Sequence, residues 1–160
     1  MRYLEGKEKR KAEKWMKYAQ KEAEKSPCHK SKRGVVIISP PGGLIIGKGF
    51  NRPPGDFRCE QNICSKICSD YAVHAEMVAM YDTLTSEIFR LEDATLYHAK
   101  IKNGQVVPSH SPSCIDCSKH IYDWGIKAVV LQLKDGLALY NSREFHELSL
   151  KSLEEKIKNG

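Results

Sequence analysis

The first part of the chain has apolar residues at helical intervals, and lysine and glutamate occupy most of the positions between them. The pattern covers about residues 5 to 25 and predicts an amphipathic helix with one buried side. The apolar positions on that side are Ala12, Trp15, Met16, Ala19 and Ala23. Pro27 follows, and because a proline cannot continue a helix, we expect the helix to end just before it.

The stretch after this helix contains β-branched runs separated by turn residues. Two such runs flank the sequence Ser-Pro-Pro-Gly-Gly and predict a β-hairpin over residues 34–39 and 43–50. Three further strands are predicted at residues 94–101, 126–133 and 136–140. Three further helices are predicted at residues 71–89, 114–125 and 142–160.

The helix predicted to begin near residue 71 is mostly apolar. We expect Ser69 or Asp70 to cap its start. Its packing side is predicted to contain Val73, Met77, Met80, Tyr81 and Leu84. The segment before it, residues 51–70, is long and irregular, and a bound metal would give such a loop a reason to be ordered.

Strands and helices alternate along the second half of the chain. This alternation implies some parallel pairing, with helices covering the sheet. We therefore predict an α/β fold, a three-layer α/β/α sandwich around a mixed five-stranded sheet. The length suits one domain and no repeat appears, so residues 1–160 are predicted to form a single domain.

The composition argues against a secreted or membrane protein and suits an anionic ligand. The N-terminus is charged where a secretory signal would be apolar, and no apolar run approaches the ~20 residues that span a bilayer. We therefore expect a cytoplasmic protein without a membrane partner. The formal net charge of +6 suits a nucleotide phosphate or nucleic acid, although solvated faces of the terminal helices are the simpler explanation.

Six cysteines are the main chemical feature of the chain. In a cytoplasmic protein their spacing indicates metal ligands rather than disulfides. Cys114 and Cys117 are three residues apart, so they share a face at the start of a predicted helix, where the dipole favours thiolates. They would supply two of the four ligands of a tetrahedral zinc site, and His74, at the start of another helix, is the expected third ligand.

Three protein ligands would leave the fourth zinc position for water, as in catalytic zinc sites. Zinc lowers the pKa of that water toward ~7, and a nearby carboxylate can then carry protons. Glu76 follows His74 by two residues, so both reach one metal only within the first helical turn. Each feature alone also has a structural interpretation, as a zinc knuckle, a redox pair or a hydrogen-bonded core histidine.

The combination of His-x-Glu on one helix with Cys-x-x-Cys opening a later helix is typical of zinc nucleobase deaminases. The segments AVHAEMVAM and SPSCIDCSKHIYDWGIKAVVL resemble the cytidine deaminase-like superfamily, and GKGFNRPPG resembles deoxycytidylate (dCMP) deaminases. The resemblance covers about residues 5 to 133. It implies the α/β/α fold and hydrolysis at C4 of a cytosine ring, with Glu76 carrying protons and with ammonia and a uracil compound as products.

The resemblance also implies substrate contacts. Asn51 would hydrogen-bond the nucleoside, and the backbone N–H of Ala75 would steady the group under attack. A carbonyl within the turn from Ser111 to Ser113 would accept a hydrogen bond from the departing amino group.

Two departures from the family pattern concern this binding region. The family places proline directly before the first cysteine, whereas Ser113 intervenes here and should reshape the turn beside the amino edge of the substrate. Arg52 stands where regulated dCMP deaminases carry a glycine in their effector-binding segment. It could meet a phosphate or face solvent, which leaves allosteric control open.

Four cysteines remain: Cys28 after the first helix, and Cys59, Cys64 and Cys68 in the irregular loop. Four thiols fit a closed structural zinc that would pin the loop beside the active site. The chain resembles viral-type dCMP deaminases in this respect, since some of them carry a second zinc with ligands in these regions. The alternatives are a buried free thiol at one or more positions, or His29 in place of Cys28.

The favoured substrate is a free pyrimidine nucleotide, dCMP first, and the resemblance favours a homo-oligomer. A deaminase of bases within RNA or single-stranded DNA is an alternative, but no stripe of aromatic and basic residues lies near the motifs. A non-catalytic, zinc-stabilised nucleic-acid-binding module is the other alternative, and it would have no use for Glu76.

Overall fold

The computed structural model describes residues 1–41, 43–59, 71–85, 91–109 and 112–159. Its strands are β1 (Arg2–Tyr3), β2 (Lys32–Ile38), β3 (Ile45–Phe50), β4 (Thr95–Lys102), β5 (Gln105–Val106), β6 (Ala128–Leu133) and β7 (Gly136–Asn141). Its helices are α1 (Gly6–Glu24), α2 (Ala75–Thr83), α3 (Ile115–Asp123) and α4 (Ser142–Asn159). Within the described ranges, no helix combines the length and the apolar character needed to cross a membrane.

The strands form one mixed sheet in the order β1-β7-β6-β4-β2-β3, with β5 paired to β4. β4 and β6 are parallel and are connected through α3, as the alternation of elements predicted. The remaining pairs are antiparallel. The five predicted strands are β2, β3, β4, β6 and β7, so the predicted α/β/α fold is confirmed.

The predicted number of five strands is corrected to seven by two short additions. β5 forms because Asn103 and Gly104 adopt left-handed backbone angles, with φ of 52° and 74°, and close a tight hairpin with β4. An Asn-Gly pair is a strong hairpin signal, so the prediction of a loop at this place was wrong. β1 forms because Arg2 and Tyr3 pair with the outer edge of β7.

The helices lie in two layers on opposite faces of the sheet. α1 packs on one face, where Trp15 and Val36 belong to one apolar cluster. On the other face, Val35 packs with Ile121 of α3 and Phe145 of α4, in a cluster that also includes the buried side of α2. Adjacent residues of β2 thus point to opposite layers, as the pleat of a strand requires.

Helix α2 lies unusually close to β3 because two glycines of the strand face it. A Cβ atom at Gly49 would lie 2.5 Å from the Ala79 nitrogen and 2.8 Å from the Ala75 oxygen. A Cβ atom at Gly47 would lie 2.3 Å from the Ala79 oxygen. The facing side of α2 consists of small buried residues, including Thr83. This backbone contact sets the position of the first turn of α2.

The packing side predicted for α2 is therefore only partly right. Met80 is fully buried, but Tyr81 is 50% exposed and Leu84 is 57% exposed. The larger side chains point away from β3 because the close backbone contact leaves room only for small residues.

Helix α2 also begins later than predicted. Val73 pairs with Arg52 in an isolated antiparallel bridge, which keeps the backbone extended up to this point. His74 is consequently the N-cap residue, and Ala75 is the first helical residue. The predicted capping residues, positions 69 and 70, lie outside the described ranges.

We expect Gly49→Ala to lower the free energy of unfolding by about 2 kcal/mol or more, since overpacking a core costs ~1–3 kcal/mol and this clash is with backbone atoms. Urea denaturation measures the change. Gly43→Ala is the matched control, because it lies between the same two strands and an added Cβ has no atom within 4 Å. Equal stability of the two variants would contradict the close contact between α2 and β3.

Candidate active site

Three side chains with metal-binding atoms meet at the starts of two helices. His74 is the N-cap of α2, Cys114 is the N-cap of α3, and Cys117 lies in the first turn of α3. The Nδ1 atom of His74 lies 3.2 Å from the Sγ of Cys114 and 3.4 Å from the Sγ of Cys117. The structure thus brings together the three residues that the sequence singled out as zinc ligands.

The donor atoms of this cluster fit a zinc ion. Bond lengths of about 2.3 Å to sulfur and 2.0 Å to nitrogen place tetrahedral ligand atoms roughly 3.5 Å apart, close to the observed separations. The three ligand atoms all lie within 4.8 Å of one another. Among the described residues, no further histidine, cysteine or carboxylate belongs to this group of ligand atoms.

The two thiols have very different proton affinities. The hydrogen bond with Cys117 and the contact with His74 lower the pKa of Cys114 to about 5, although burial opposes this change. The same bond and burial raise the pKa of Cys117 far above its usual range. The hydrogen bond with Cys114 also raises the pKa of His74. Without metal, the pair therefore carries one thiolate and one thiol at neutral pH.

Glu76 lies beside the cluster without being part of it. The residue is almost completely buried, and Ser113 donates a hydrogen bond to its Oε1 atom. Burial raises the pKa of Glu76, but the charge of His98 and the hydrogen bond from Ser113 lower it, and the net pKa lies below its usual range. Burial lowers the pKa of His98 to about 4, although the charge of Glu76 opposes that change.

Asn51 borders the site but already has several protein partners. Its Oδ1 atom accepts hydrogen bonds from the Ser26 hydroxyl at 2.8 Å and from the Arg33 backbone N–H at 2.7 Å. Its amide nitrogen donates to the Ser31 carbonyl at 3.1 Å. An asparagine amide has two N–H groups, so one donor remains for a ligand. The side chain therefore holds the segment before β2 against the end of β3.

The other predicted substrate contacts are Ala75, Ser113 and Ser111. Ala75 is the first residue of α2, so its backbone N–H lies outside the helical hydrogen-bond ladder. Ser113 lines the cavity in front of Glu76. Ser111 lies outside the described residues.

Arg52 lines a small cavity and does not line the cavity in front of Glu76. It lines that cavity together with Cys28 and Cys59, and its guanidinium donates to the Pro53 carbonyl at 3.2 Å. Two of the four remaining cysteines are thus neighbours of one cavity. The other two, Cys64 and Cys68, lie outside the described residues.

A cavity of about 350 Å³ extends from His74 and Glu76. Three cationic residues that no sequence motif indicated also line it: Lys30, Arg33 and Lys156. The residues that α4 contributes are Ser149, Ser152, Leu153 and Lys156. Their spacing of three, four and seven residues places them on one helical face. This spacing is visible in the sequence and was the signal that could have grouped them.

Comparisons with known proteins agree with this geometry. The family model that describes the zinc-binding region of cytidine and deoxycytidylate deaminases matches residues 9–133 of this chain. No curated protein sequence matches the chain.

Solved structures share the fold. The dCMP deaminase from cyanophage S-TIM5 in complex with dCMP and dUMP has a TM-score of 0.57 and 27% identity, over 73% of this chain and 76% of that one. Its apo form has a TM-score of 0.56 and 25% identity, over 74% and 79% of the two chains. The cytidine deaminase from Burkholderia pseudomallei has a TM-score of 0.57 at 16% identity, over 83% and 94%.

Zinc binding to the metal-free protein is expected to release about one proton or more per ion near neutral pH, because the Cys117 thiol must ionise to bind the metal. The affinity for zinc should therefore rise with pH, roughly tenfold per unit for one released proton. Zinc titration in weakly buffered solution with a pH indicator measures the release. An equal release by the Cys117→Ala variant would show that this thiol is not the source of the proton.

Proposed function

Because the chain belongs to the family of cytidine and deoxycytidylate deaminases, we propose that it is a zinc-dependent hydrolase that converts dCMP to dUMP and ammonia. The observation that carries the proposal is the cluster of His74, Cys114 and Cys117 beside a buried carboxylate, Glu76, that does not belong to it. A structural zinc site would have no use for that carboxylate. The S-TIM5 enzyme in complex with dCMP and dUMP supports the choice of dCMP as substrate.

Glu76 is the residue proposed to move protons. His74, Cys114 and Cys117 would hold a zinc ion that, when bound, would lower the pKa of a coordinated water toward ~7. Glu76 accepts a proton at its carboxylate and delivers protons to N3 of the ring and to the departing amino group. In balance, water gives its oxygen to C4, and its two protons end on N3 and in ammonia. The hydrogen bond from Ser113 to Oε1 orients the carboxylate for this task.

The remaining polar groups of the cavity are proposed to orient the nucleotide. The unused N–H of the Asn51 amide is available to the nucleoside, and the backbone N–H of Ala75 is available to the group under attack. A carbonyl in the turn from Ser111 to Ser113 would accept a hydrogen bond from the amino group of cytosine.

A second, structural zinc is proposed at Cys28, Cys59, Cys64 and Cys68. Cys28 is buried, and it lines the smaller cavity together with Cys59. Cys28 also borders the cavity in front of Glu76, so a metal bound here would brace the loop next to the catalytic groups. Four thiolates would form a closed site without a position for water.

We expect Glu76→Gln to slow ammonia release from dCMP by roughly 10³-fold, since general acid–base catalysis contributes about 10²–10⁴ and an amide cannot carry the proton. Zinc content and melting temperature should stay close to those of the wild type. Glu13→Gln is the control, because Glu13 is an exposed carboxylate on α1, on the other face of the sheet. Wild-type turnover by Glu76→Gln would contradict the assigned role.

The same ammonia assay tests which substrate the protein uses. The compounds to compare are dCMP, CMP, deoxycytidine, guanine and cytosine-containing oligonucleotides. Turnover of dCMP in preference to the others supports the proposal. Turnover of oligonucleotides alone would instead identify a deaminase of bases within nucleic acid.

Metal analysis of the purified protein is expected to find about two zinc ions per chain, one in each proposed site. Cys28→Ser should remove one of them and lower the melting temperature, because the closed site ties the loop to the end of α1. Cys114→Ser should remove the other ion and abolish turnover. A wild-type content near one ion per chain would eliminate the structural site.

A further inference from the structure

The C-terminal helix α4 forms one wall of the catalytic cavity, although it follows the residues 9–133 that match the family. The helix contributes no atom to the metal-binding cluster and lies apart from Glu76 in the sequence. Its cavity face carries two serines, a leucine and, at its far end, Lys156. α4 therefore borders the cavity without supplying a ligand to the metal-binding cluster.

The first half of α4 is anchored to the rest of the fold. Phe145 is fully buried, with its ring centroid 5.7 Å from that of Tyr140. The Nδ1 atom of His146 lies 3.0 Å from the hydroxyl of Ser118 in α3. Since Lys156 follows this anchored part in the same continuous helix, its place at the cavity is set by the helix axis.

Three cations from three different segments line this cavity. Lys30 precedes β2, Arg33 lies within β2, and Lys156 lies near the end of α4. Throughout the described ranges, no carboxylate forms an ion pair with any of them. Glu76 also lines the cavity, but its carboxylate is already engaged by Ser113.

The sheet places a further cation next to this group. Arg33 of β2 is paired directly with Lys100 of β4. Like charges opposite each other in an antiparallel pair destabilise a sheet. Burial, followed by the charge of Arg33, lowers the pKa of Lys100. An anion supplied from outside would relieve this repulsion.

We propose that Lys30, Arg33 and Lys156 bind the phosphate group of the substrate, and that this contact makes the enzyme select nucleotides over nucleosides. The proposal rests on the deaminase function proposed above. A phosphate monoester carries a charge of about −1.5 to −2 at neutral pH, which three cations neutralise. The guanidinium of Arg33 can bind two phosphate oxygens at once.

A single nucleotide fits the cavity better than a nucleic-acid strand does. A volume of about 350 Å³ is near the lower end of small-molecule pockets, which span roughly 300–1,000 Å³. Proteins that bind single strands place cations along a groove and stack bases on aromatic side chains. Of the described residues that line this cavity, none is phenylalanine, tyrosine or tryptophan.

The test compares Lys156→Met with wild type in the full-length, zinc-loaded protein. For dCMP, kcat/KM is expected to fall roughly 10- to 100-fold, mostly through KM, because a charge-assisted contact is lost. For deoxycytidine, kcat/KM should not change. Lys156→Arg should keep most of the activity on dCMP. The control is Lys158→Met, an exposed lysine of the same helix that does not line the cavity.

Calorimetry provides a readout that does not depend on turnover. Lys156→Met should bind dUMP roughly 10- to 100-fold more weakly than wild type, with unchanged binding of deoxyuridine. Unchanged dUMP binding, or equal losses for dUMP and deoxyuridine, would overturn the phosphate contact. Tighter binding of a cytosine oligonucleotide than of dUMP would also overturn it. If wild type deaminates no pyrimidine compound, the proposed function fails, while the dUMP comparison still decides the phosphate contact.

Discussion

The backbone contact between α2 and β3 fixes where the candidate catalytic groups stand. Gly47 and Gly49 leave no side chain between strand and helix, so α2 lies directly on the sheet. The residue that caps this helix, His74, and the buried carboxylate of Glu76 take their positions from that contact. A bulkier strand residue would move both together, and the imidazole would leave the neighbourhood of the thiols.

The other half of the site depends on the parallel pair of β4 and β6. Parallel neighbours need a crossover connection, and α3 provides it. The N-terminus of α3 carries Cys114 and Cys117, and the dipole of this helix favours the thiolate form that a metal requires. Two helix N-termini therefore converge on one point, and their combined positive potential suits a site that holds thiolates and a carboxylate.

Local pattern was enough to predict the layers, the five main strands and the metal-binding cluster. His74, Cys114 and Cys117 were predictable because His-x-Glu on one helix and Cys-x-x-Cys opening a later helix occur together, although each feature alone also has structural interpretations. The packed side of α2 was not, because it is set by glycines in another strand rather than by the period of the helix itself. The contribution of Lys156 was also hidden, because a lysine on a terminal helix usually faces solvent.

The proposed chemistry and the proposed phosphate contact use different side chains of this chain. The metal-binding cluster and Glu76 lie within the residues that match the family, as do Lys30 and Arg33, whereas α4 lies after them and lines the cavity from Ser149 onward. Substitutions on that face of α4 would change the charge of the cavity without altering the distances among His74, Cys114 and Cys117. The fold is shared by proteins described as cytidine deaminases and as dCMP deaminases, which differ in whether the substrate bears a phosphate. The proposed phosphate contact would distinguish such substrates without any change at the metal-binding cluster.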